Sequence, residues 1–194
     1  MFKKTLLATA ATAATAALLG PMTASAANLG VLTFTGEVLD SPCSVTGTDL
    51  FQTIQLGQIS AKSLRGAKGT AGPTVPVEIH LKDCSFDANT GPDKATKPFL
   101  LNKVSIKFGG QTATDGILLG GTTYDAEGVS VQLLGRDGAT PINFATAGDT
   151  VSQITAANGV ENVIALYARM VNNGITPVKA GKIQAVASYE VIYK

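Results

Sequence analysis

The sequence contains few of the residues that metal, redox and nucleic-acid sites require. Its 194 residues include no Trp, one His and two Cys, and only 15% of them are charged. One histidine and two cysteines are too few for a typical zinc site built from Cys and His. The 15 basic and 14 acidic side chains leave no excess of positive charge for a nucleic-acid surface. We therefore expect no metal, no cofactor and no nucleic-acid partner.

The first 26 residues have the pattern of a secretory signal peptide. Lys3 and Lys4 precede an apolar, alanine-rich stretch, and the Ala-Ser-Ala sequence at 24–26 matches a cleavage site. A membrane anchor is the alternative, but threonines interrupt the stretch and it is shorter than the roughly 20 residues that a bilayer span needs. The sequence predicts cleavage after Ala26 and export of residues 27–194.

Export favours a disulfide as the interpretation of the two cysteines. Cys43 and Cys84 allow one intramolecular pairing, and exported proteins fold in oxidising compartments. Closing the loop between them would remove about 3–4 kcal/mol of chain entropy from the unfolded state. A pair of free thiols or a redox site is the alternative, although the sequence has no C-x-x-C motif.

Apolar and polar residues alternate along most of the exported chain. This spacing is typical of strands with one buried and one solvated face, and it is clearest at 32–38, 77–82, 104–108 and 129–133. Between such runs stand glycine dipeptides that suit tight turns. They lie at 109–110, 115–116, 120–121, 137–138, 158–159 and 173–174.

Two more polar stretches, 60–72 and 87–97, are predicted to be longer loops, the first with a short helical turn. Many short antiparallel strands in one domain indicate a sandwich or a barrel. We favour a sandwich because a disulfide between early strands commonly ties such sheets together.

The last run, 181–194, is the most continuous. Ala185, Ala187, Tyr189, Val191 and Tyr193 alternate with a second set that begins at Val186, and no Gly or Pro interrupts them. A strand with this many apolar residues would normally lie inside a sheet. If one of its flanks had no partner, the backbone groups there would form an open template for another strand.

Taken together, these features resemble the chaperone–usher pilins, and most closely the major subunits of type 1 fimbriae. The matching segments are the N-terminal stretch 28–38, Cys43-Ser44-Val45, Ile54-Gln55-Leu56-Gly57 (like the second strand of the family), the 77–84 run that ends in Cys84, and the 128–138 run with Asp137-Gly138. Family members also carry a glycine fourteenth from the C-terminus and a penultimate tyrosine, which here are Gly181 and Tyr193.

The resemblance implies an all-β protein, an incomplete immunoglobulin-like β-sandwich that lacks its last strand. It divides the chain into a signal peptide (1–26), an N-terminal donor-strand extension (27–35) and a pilin domain (36–194). In the periplasm a chaperone would fill the vacant position with one of its own strands and hold the C-terminal carboxylate. At the outer-membrane usher, the extension of the next subunit would replace the chaperone strand, a form of strand addition to an open edge.

The implied function is that of a structural pilin subunit, polymerised by donor-strand exchange into a fimbrial rod at the cell surface that serves cell adhesion. Its partners would be identical or related pilin subunits, the chaperone and the usher. Any host-surface receptor would be bound through a separate tip adhesin. A minor or adaptor pilin, and a self-contained secreted β-sandwich that binds a ligand, are the alternatives.

The resemblance also assigns site residues. The donor strand would use the alternate positions Asn28, Gly30, Leu32, Phe34 and Gly36. Leu32 and Phe34 would be apolar plugs that contribute roughly 1.5–3 kcal/mol each when buried. The alternative is that residues 28–34 only begin the domain's own first strand.

The acceptor edge that binds the chaperone or the donor would lie between the first strand, about 36–39, and the last. Its residues in the last run would be Gly181, Tyr189, Val191, Tyr193 and Lys194. The family phase favours Tyr189, Val191 and Tyr193 as the inward-facing set.

The sequence shows no set of catalytic residues. A Ser-His-Asp triad would have to use His80, which shares the polar face of its strand with Glu78 and Lys82 and is therefore interpreted as an exposed surface residue. We expect the protein not to be an enzyme.

Overall fold

The computed structural model describes residues 32–36, 38, 41–110, 118–119, 126–145 and 150–194. The predicted signal peptide, Asn28 and Gly30 lie outside these residues, as do two positions of the predicted first strand, Glu37 and Leu39. The chain divides into two units, 1–38 and 39–194. In the first unit, the described residues form no helix or strand.

The second unit is built almost entirely from antiparallel strands. In chain order the elements are β1 (Ser44–Val45), α1 (Ala61–Leu64), β2 (Val75–Lys82), β3 (Lys103–Gly110), β4 (Leu118–Leu119), β5 (Val129–Leu134), a 3-10 turn (Thr150–Ser152), β6 (Ile154–Thr155), β7 (Asn162–Asn172) and β8 (Ala187–Tyr193). A five-stranded sheet has the order β1-β2-β7-β5-β4, and a three-stranded sheet has the order β6-β3-β8. The predicted all-β sandwich is confirmed.

The core lies between the two sheets and follows the alternation of their strands. On β2 the buried Ile79 and Leu81 alternate with the more exposed Glu78 and Lys82. The side chains that meet from the two sheets include Leu133, Ile164 and Leu166 on one side and Val104, Ile106 and Phe108 on the other. Burial of such side chains contributes roughly 1.5–3 kcal/mol each.

The disulfide between Cys43 and Cys84 is present in the structure. Both cysteines are buried, one just before β1 and the other just after β2. Since β1 and β2 are neighbours in the five-stranded sheet, the bond joins adjacent strands of one sheet.

Strand β5 differs from its predicted pattern, because both of its faces are buried. Ser130 and Gln132 were expected on a solvated face, yet both are buried. Each has a hydrogen-bond partner: Asn173 donates to the Ser130 hydroxyl at 3.1 Å, and Arg169 donates two bonds to the Gln132 side-chain oxygen at 2.9 and 2.7 Å. Polar residues can be buried at this face because these partners satisfy them.

The longest strand, β7, has no clear alternation in the sequence. Its inward residues, such as Ile164 and Leu166, are separated by Val163, Ala165 and Tyr167, which are also apolar or aromatic. A strand whose two faces are both largely apolar cannot be recognised from a polar–apolar period. It occupies the centre of the five-stranded sheet, between β2 and β5.

Two predicted strand boundaries were wrong. Residues 54–57 form no strand, and 52–59 make no ladder bonds to the described residues. Side chains hold this stretch instead: Gln52 donates a hydrogen bond to the Glu78 carbonyl at 2.7 Å, and Leu56 packs on the core. The last strand begins at Ala187, not at Gly181.

The loops agree with the turn chemistry of the sequence. Helix α1 lies in the 60–72 loop as predicted, and the Ser60 hydroxyl accepts a hydrogen bond from the Lys62 amide. Gly138 and Gly174 take φ values of 65° and 71°, which non-glycine residues rarely adopt. Within the described ranges, no helix has the length and apolar character that a bilayer crossing needs.

Candidate functional site

The most unusual feature of the sandwich is the position of its last strand. Strand β8 pairs with β3 along its whole length, from Ala187 opposite Gly110 to Tyr193 opposite Val104. On its other flank, none of the described residues forms a neighbouring strand. The backbone N–H and C=O groups of this flank therefore have no ladder partner in the described part of the chain, and they can template another strand.

The inward side of β8 is only partly covered. Ala187, Tyr189, Val191 and Tyr193 pack against the main core, whereas Ser188 and Glu190 on the other face are exposed. All four inward residues are half-buried. In the adjacent strand, by contrast, Val104 and Ile106 have no exposed surface. Strand β3 lies between β6 and β8, whereas β8 has a described neighbour on one flank only, and its inward face is covered less.

The segment 43–56 reaches β8 through two tyrosine hydroxyls. Tyr189 donates a hydrogen bond to the Asp49 carbonyl at 2.9 Å, and Tyr193 donates to the Cys43 carbonyl at 3.4 Å. Val45 and Leu56 of the same segment pack against the core cluster that β8 contacts. We use the term "β8 edge" for β8 together with this facing segment, 43–56.

A buried carboxylate anchors the facing segment to the five-stranded sheet. Asp49 is only 6% exposed, and its Oδ2 atom accepts hydrogen bonds from the His80 amide at 2.6 Å and from His80 Nδ1 at 2.9 Å. Burial by itself would raise the pKa of Asp49. Hydrogen bonds from the His80 amide, Thr46, the His80 ring and Gln52 outweigh burial and lower this pKa from 3.8 to about 2.

The environment of His80 differs from its sequence interpretation as an exposed surface residue. Its side chain is only 31% exposed, and its Nδ1 is bound to Asp49 in the turn at 46–52. Its other ring nitrogen lies 3.8 Å from a Glu78 carboxylate oxygen. His80 therefore stands between two carboxylates, and the described residues place no hydroxyl nucleophile in hydrogen-bond contact with it.

The low pKa of Asp49 predicts a loss of stability in acid. The folded chain holds the carboxylate ionised below its ordinary pKa of 3.8, so its contribution is fully present above pH 3.8 and is lost as the pH falls towards about 2. A difference of this size corresponds to about 2 kcal/mol. We expect the unfolding free energy of the Asp49→Asn variant to fall less than that of the wild type between pH 5 and pH 2. Urea titrations at a series of pH values measure this difference. Identical pH dependences would contradict the assignment.

The described donor candidates are exposed. Leu32 is 81% exposed and Phe34 is 87% exposed, although both are large and apolar. At Gly36 an added Cβ would meet no atom within 4 Å. If this segment is extended, as a donor strand would be, these two side chains two positions apart lie on the same face.

At the other end of the chain, Gly181 is exposed and lies before β8, and Lys194 is exposed directly after it. Lys194 exchanges two backbone hydrogen bonds with Lys103, at 2.8 and 3.0 Å, which holds the end of β8 against the start of β3.

Sequence reasoning missed the facing segment of the β8 edge, and above all Asp49. Its context, Thr-Gly-Thr-Asp, is ordinary turn composition, and nothing in it indicates a buried carboxylate. The role of Asp49 becomes visible only in its contact with His80, which is far from it in the sequence. Within the part of the chain that the structure describes, no group of three His, Cys, Asp or Glu side chains could hold a metal ion.

Comparisons with known proteins agree on one family. A family model described as fimbrial protein matches residues 32–194. The fimbrial subunit type 1 of Klebsiella pneumoniae is 35% identical over 169 residues, covering 86% of this chain and 85% of the relative. The type-1 fimbrial protein A chain of Escherichia coli K12 is 33% identical over 172 residues, covering 88% and 87%. A chain from a solved chaperone–usher pilus has the same fold, with a TM-score of 0.65, 24% identity, and coverage of 86% of this chain and 96% of that chain.

Proposed function

Since this chain belongs to the fimbrial protein family, we propose that its subunits join by donor-strand exchange at the β8 edge. The protein is a structural pilin that polymerises with related subunits into a fimbrial rod at the cell surface.

The observation that supports the proposal most strongly is the half-covered inward face of an edge strand. Tyr189 and Val191 of β8 pack on the core but stay half-buried, and no described strand pairs with the flank of β8 opposite β3. An added strand would satisfy the backbone groups on the flank of β8 that has no ladder partner among the described residues, and its alternate side chains would cover this face. In a self-contained sandwich the chain itself would have to cover this face, and the described residues leave it half-covered.

The donor would be the N-terminal extension, residues 27–35, of a neighbouring subunit. Its Leu32 and Phe34 are exposed in the subunit and would be buried in the neighbour, each contributing roughly 1.5–3 kcal/mol. Asn28, Gly30 and Gly36 would occupy the other alternate positions. Each subunit then gives one strand and receives one, and this head-to-tail contact does not close on itself, so it makes a filament.

Before assembly, the β8 edge needs a temporary partner. We propose that a periplasmic chaperone supplies one, with a strand beside Tyr189, Val191 and Tyr193 and a contact to the carboxylate of Lys194. An outer-membrane usher would then exchange this strand for the donor. Cleavage of the signal peptide after Ala26 would precede both steps. The role proposed here is structural, without catalysis.

Deletion of residues 27–35 tests the proposal. The shortened subunit keeps its β8 edge but has no donor strand, so we expect it to fold and be captured by the chaperone without forming chains of itself. The measurement is gel electrophoresis in SDS without boiling, where donor-strand polymers of the wild type should run as a ladder that boiling removes. A ladder from the deletion variant would contradict donation by this segment.

A further inference from the structure

The facing segment of the β8 edge holds a buried charge, the Asp49 carboxylate, that donor-strand exchange itself does not require. The Asp49 carboxylate lies in a turn, has almost no exposed surface and is held ionised by hydrogen bonds. Burying an ionised carboxylate is costly unless partners compensate for the lost water, and a turn needs no such group. Asp49 contacts residues of both sheets, and these contacts indicate the role of its carboxylate.

Asp49 connects the two sheets of the sandwich through two different parts of the residue. Its carboxylate is bound by the amide and the ring of His80 on β2, in the five-stranded sheet. Its backbone carbonyl accepts the hydroxyl of Tyr189 on β8, in the three-stranded sheet. The chain of contacts from β2 to β8 is therefore His80, Asp49, Tyr189.

The Tyr189 end of this connection lies within the β8 edge itself. Its ring faces inward and packs near Phe108, with the ring centroids 6.4 Å apart. Its hydroxyl reaches across to the facing segment before any donor is present. A strand that enters beside β8 meets a surface whose Tyr189 side chain is already held in one orientation, and preorganisation of this kind lowers the entropy cost of binding.

We infer that Asp49 is a positioning residue for strand exchange: bound to His80, it holds the 46–52 turn so that its carbonyl fixes Tyr189 beside the incoming donor strand. The inference rests on the proposed function of the β8 edge. The Asp49 carboxylate binds His80, and it is the backbone carbonyl of Asp49 that binds β8, through Tyr189. It acts through Tyr189, so Asp49 and Tyr189 form one unit.

The test compares the lifetimes of subunit–subunit links in polymers of the full chain. Asp49→Asn, Tyr189→Phe and the double variant are expressed with the protein's own assembly system, and purified polymers are placed in guanidinium chloride. Subunit release over time is measured from the SDS ladder. A neutral hydrogen bond contributes about 1 kcal/mol, so each single variant should release subunits about fivefold faster than the wild type. The double variant should be no faster than the faster single variant, because both changes break the same connection.

Two matched controls separate positioning from general loss of stability. Asp137→Asn removes another hydrogen-bonded carboxylate, in the turn after β5, whose pKa is also lowered to about 2 by bonds from Thr140 and the Ala139 amide. Tyr167→Phe removes a tyrosine hydroxyl on β7, in the other sheet. Both controls should release subunits at the wild-type rate.

The possible outcomes are distinct. If the wild type forms no SDS-resistant polymer, the proposed function fails. If the wild type forms polymers and the Asp49 and Tyr189 variants release subunits at its rate, the inference is overturned. If the rate increases of the two single variants multiply in the double variant, the inference is also overturned, because the two changes then act independently. If Asp49→Asn does not accumulate, Tyr189→Phe decides alone: faster release supports the inference and an unchanged rate overturns it.

Discussion

Replacing Phe34 with Asp should stop a subunit from donating its strand while leaving its own β8 edge intact. Phe34 is exposed in the subunit, so the substitution removes no core contact there. In the neighbour, the variant would lose an apolar plug and place a carboxylate against the half-covered apolar face of β8. The two effects together amount to about 5 kcal/mol or more, which is more than a thousandfold in affinity.

The measurement is the amount of SDS-resistant polymer and of chaperone-bound subunit in the same cells. We expect the Phe34→Asp variant to accumulate as chaperone-bound subunit without polymer. Thr33→Asp is the matched control, because it adds the same charge one position away, on the other side of the extended segment. Equal loss of polymer in the two variants would show that charge in the extension, and not the plug, causes the effect.

Replacing Tyr193 with Asp should mainly impair capture by the chaperone, whereas Phe34→Asp should mainly impair polymerisation. The Tyr193 side chain packs on the core and its hydroxyl donates to the Cys43 carbonyl. Burial of the phenol raises its pKa, because removal from water disfavours the charged form. A carboxylate here should weaken the binding of any strand beside β8 by several kcal/mol. The uncaptured subunit should then be degraded.

The readout for Tyr193→Asp is the amount of subunit recovered with the chaperone from periplasmic extracts. Ser188→Asp is the control on the same strand, since Ser188 is exposed on the outward face. We expect normal capture for Ser188→Asp and for Phe34→Asp, and little for Tyr193→Asp. Equal capture of all three variants would contradict the assignment of β8 as the chaperone-binding strand.

Most of the sandwich could be predicted from the sequence because its strands alternate. The period of two located β2, β3 and β5, and an uninterrupted apolar run indicated the last strand. Strand β7 was not predicted, because Val163, Ala165 and Tyr167 make its second face apolar as well. A local pattern shows which residues suit a strand, but not which neighbours cover its two faces. The burial of Ser130 and Gln132 on β5 was not predicted for the same reason.

The candidate site was predictable only in part for a similar reason. Tyr189, Val191 and Tyr193 could be named from their phase along one strand. The segment opposite them could not, because Asp49 meets His80 and Tyr189 only after the chain has folded. A buried carboxylate in a turn has the same sequence appearance as an exposed one. Contacts between distant parts of a chain therefore define the facing half of the β8 edge.

The most direct test of the central claim, that the sandwich is one strand short, is the thermal unfolding of the chain without residues 1–35. The midpoint is measured alone and with a synthetic peptide copying residues 27–36. A ligand that binds only the folded chain raises stability by about 2.7 kcal/mol at 100 times its Kd. We predict an unstable chain whose midpoint rises steeply with this peptide and does not respond to the Phe34→Asp peptide. A chain that is stable alone, with a midpoint that neither peptide changes, would contradict the account.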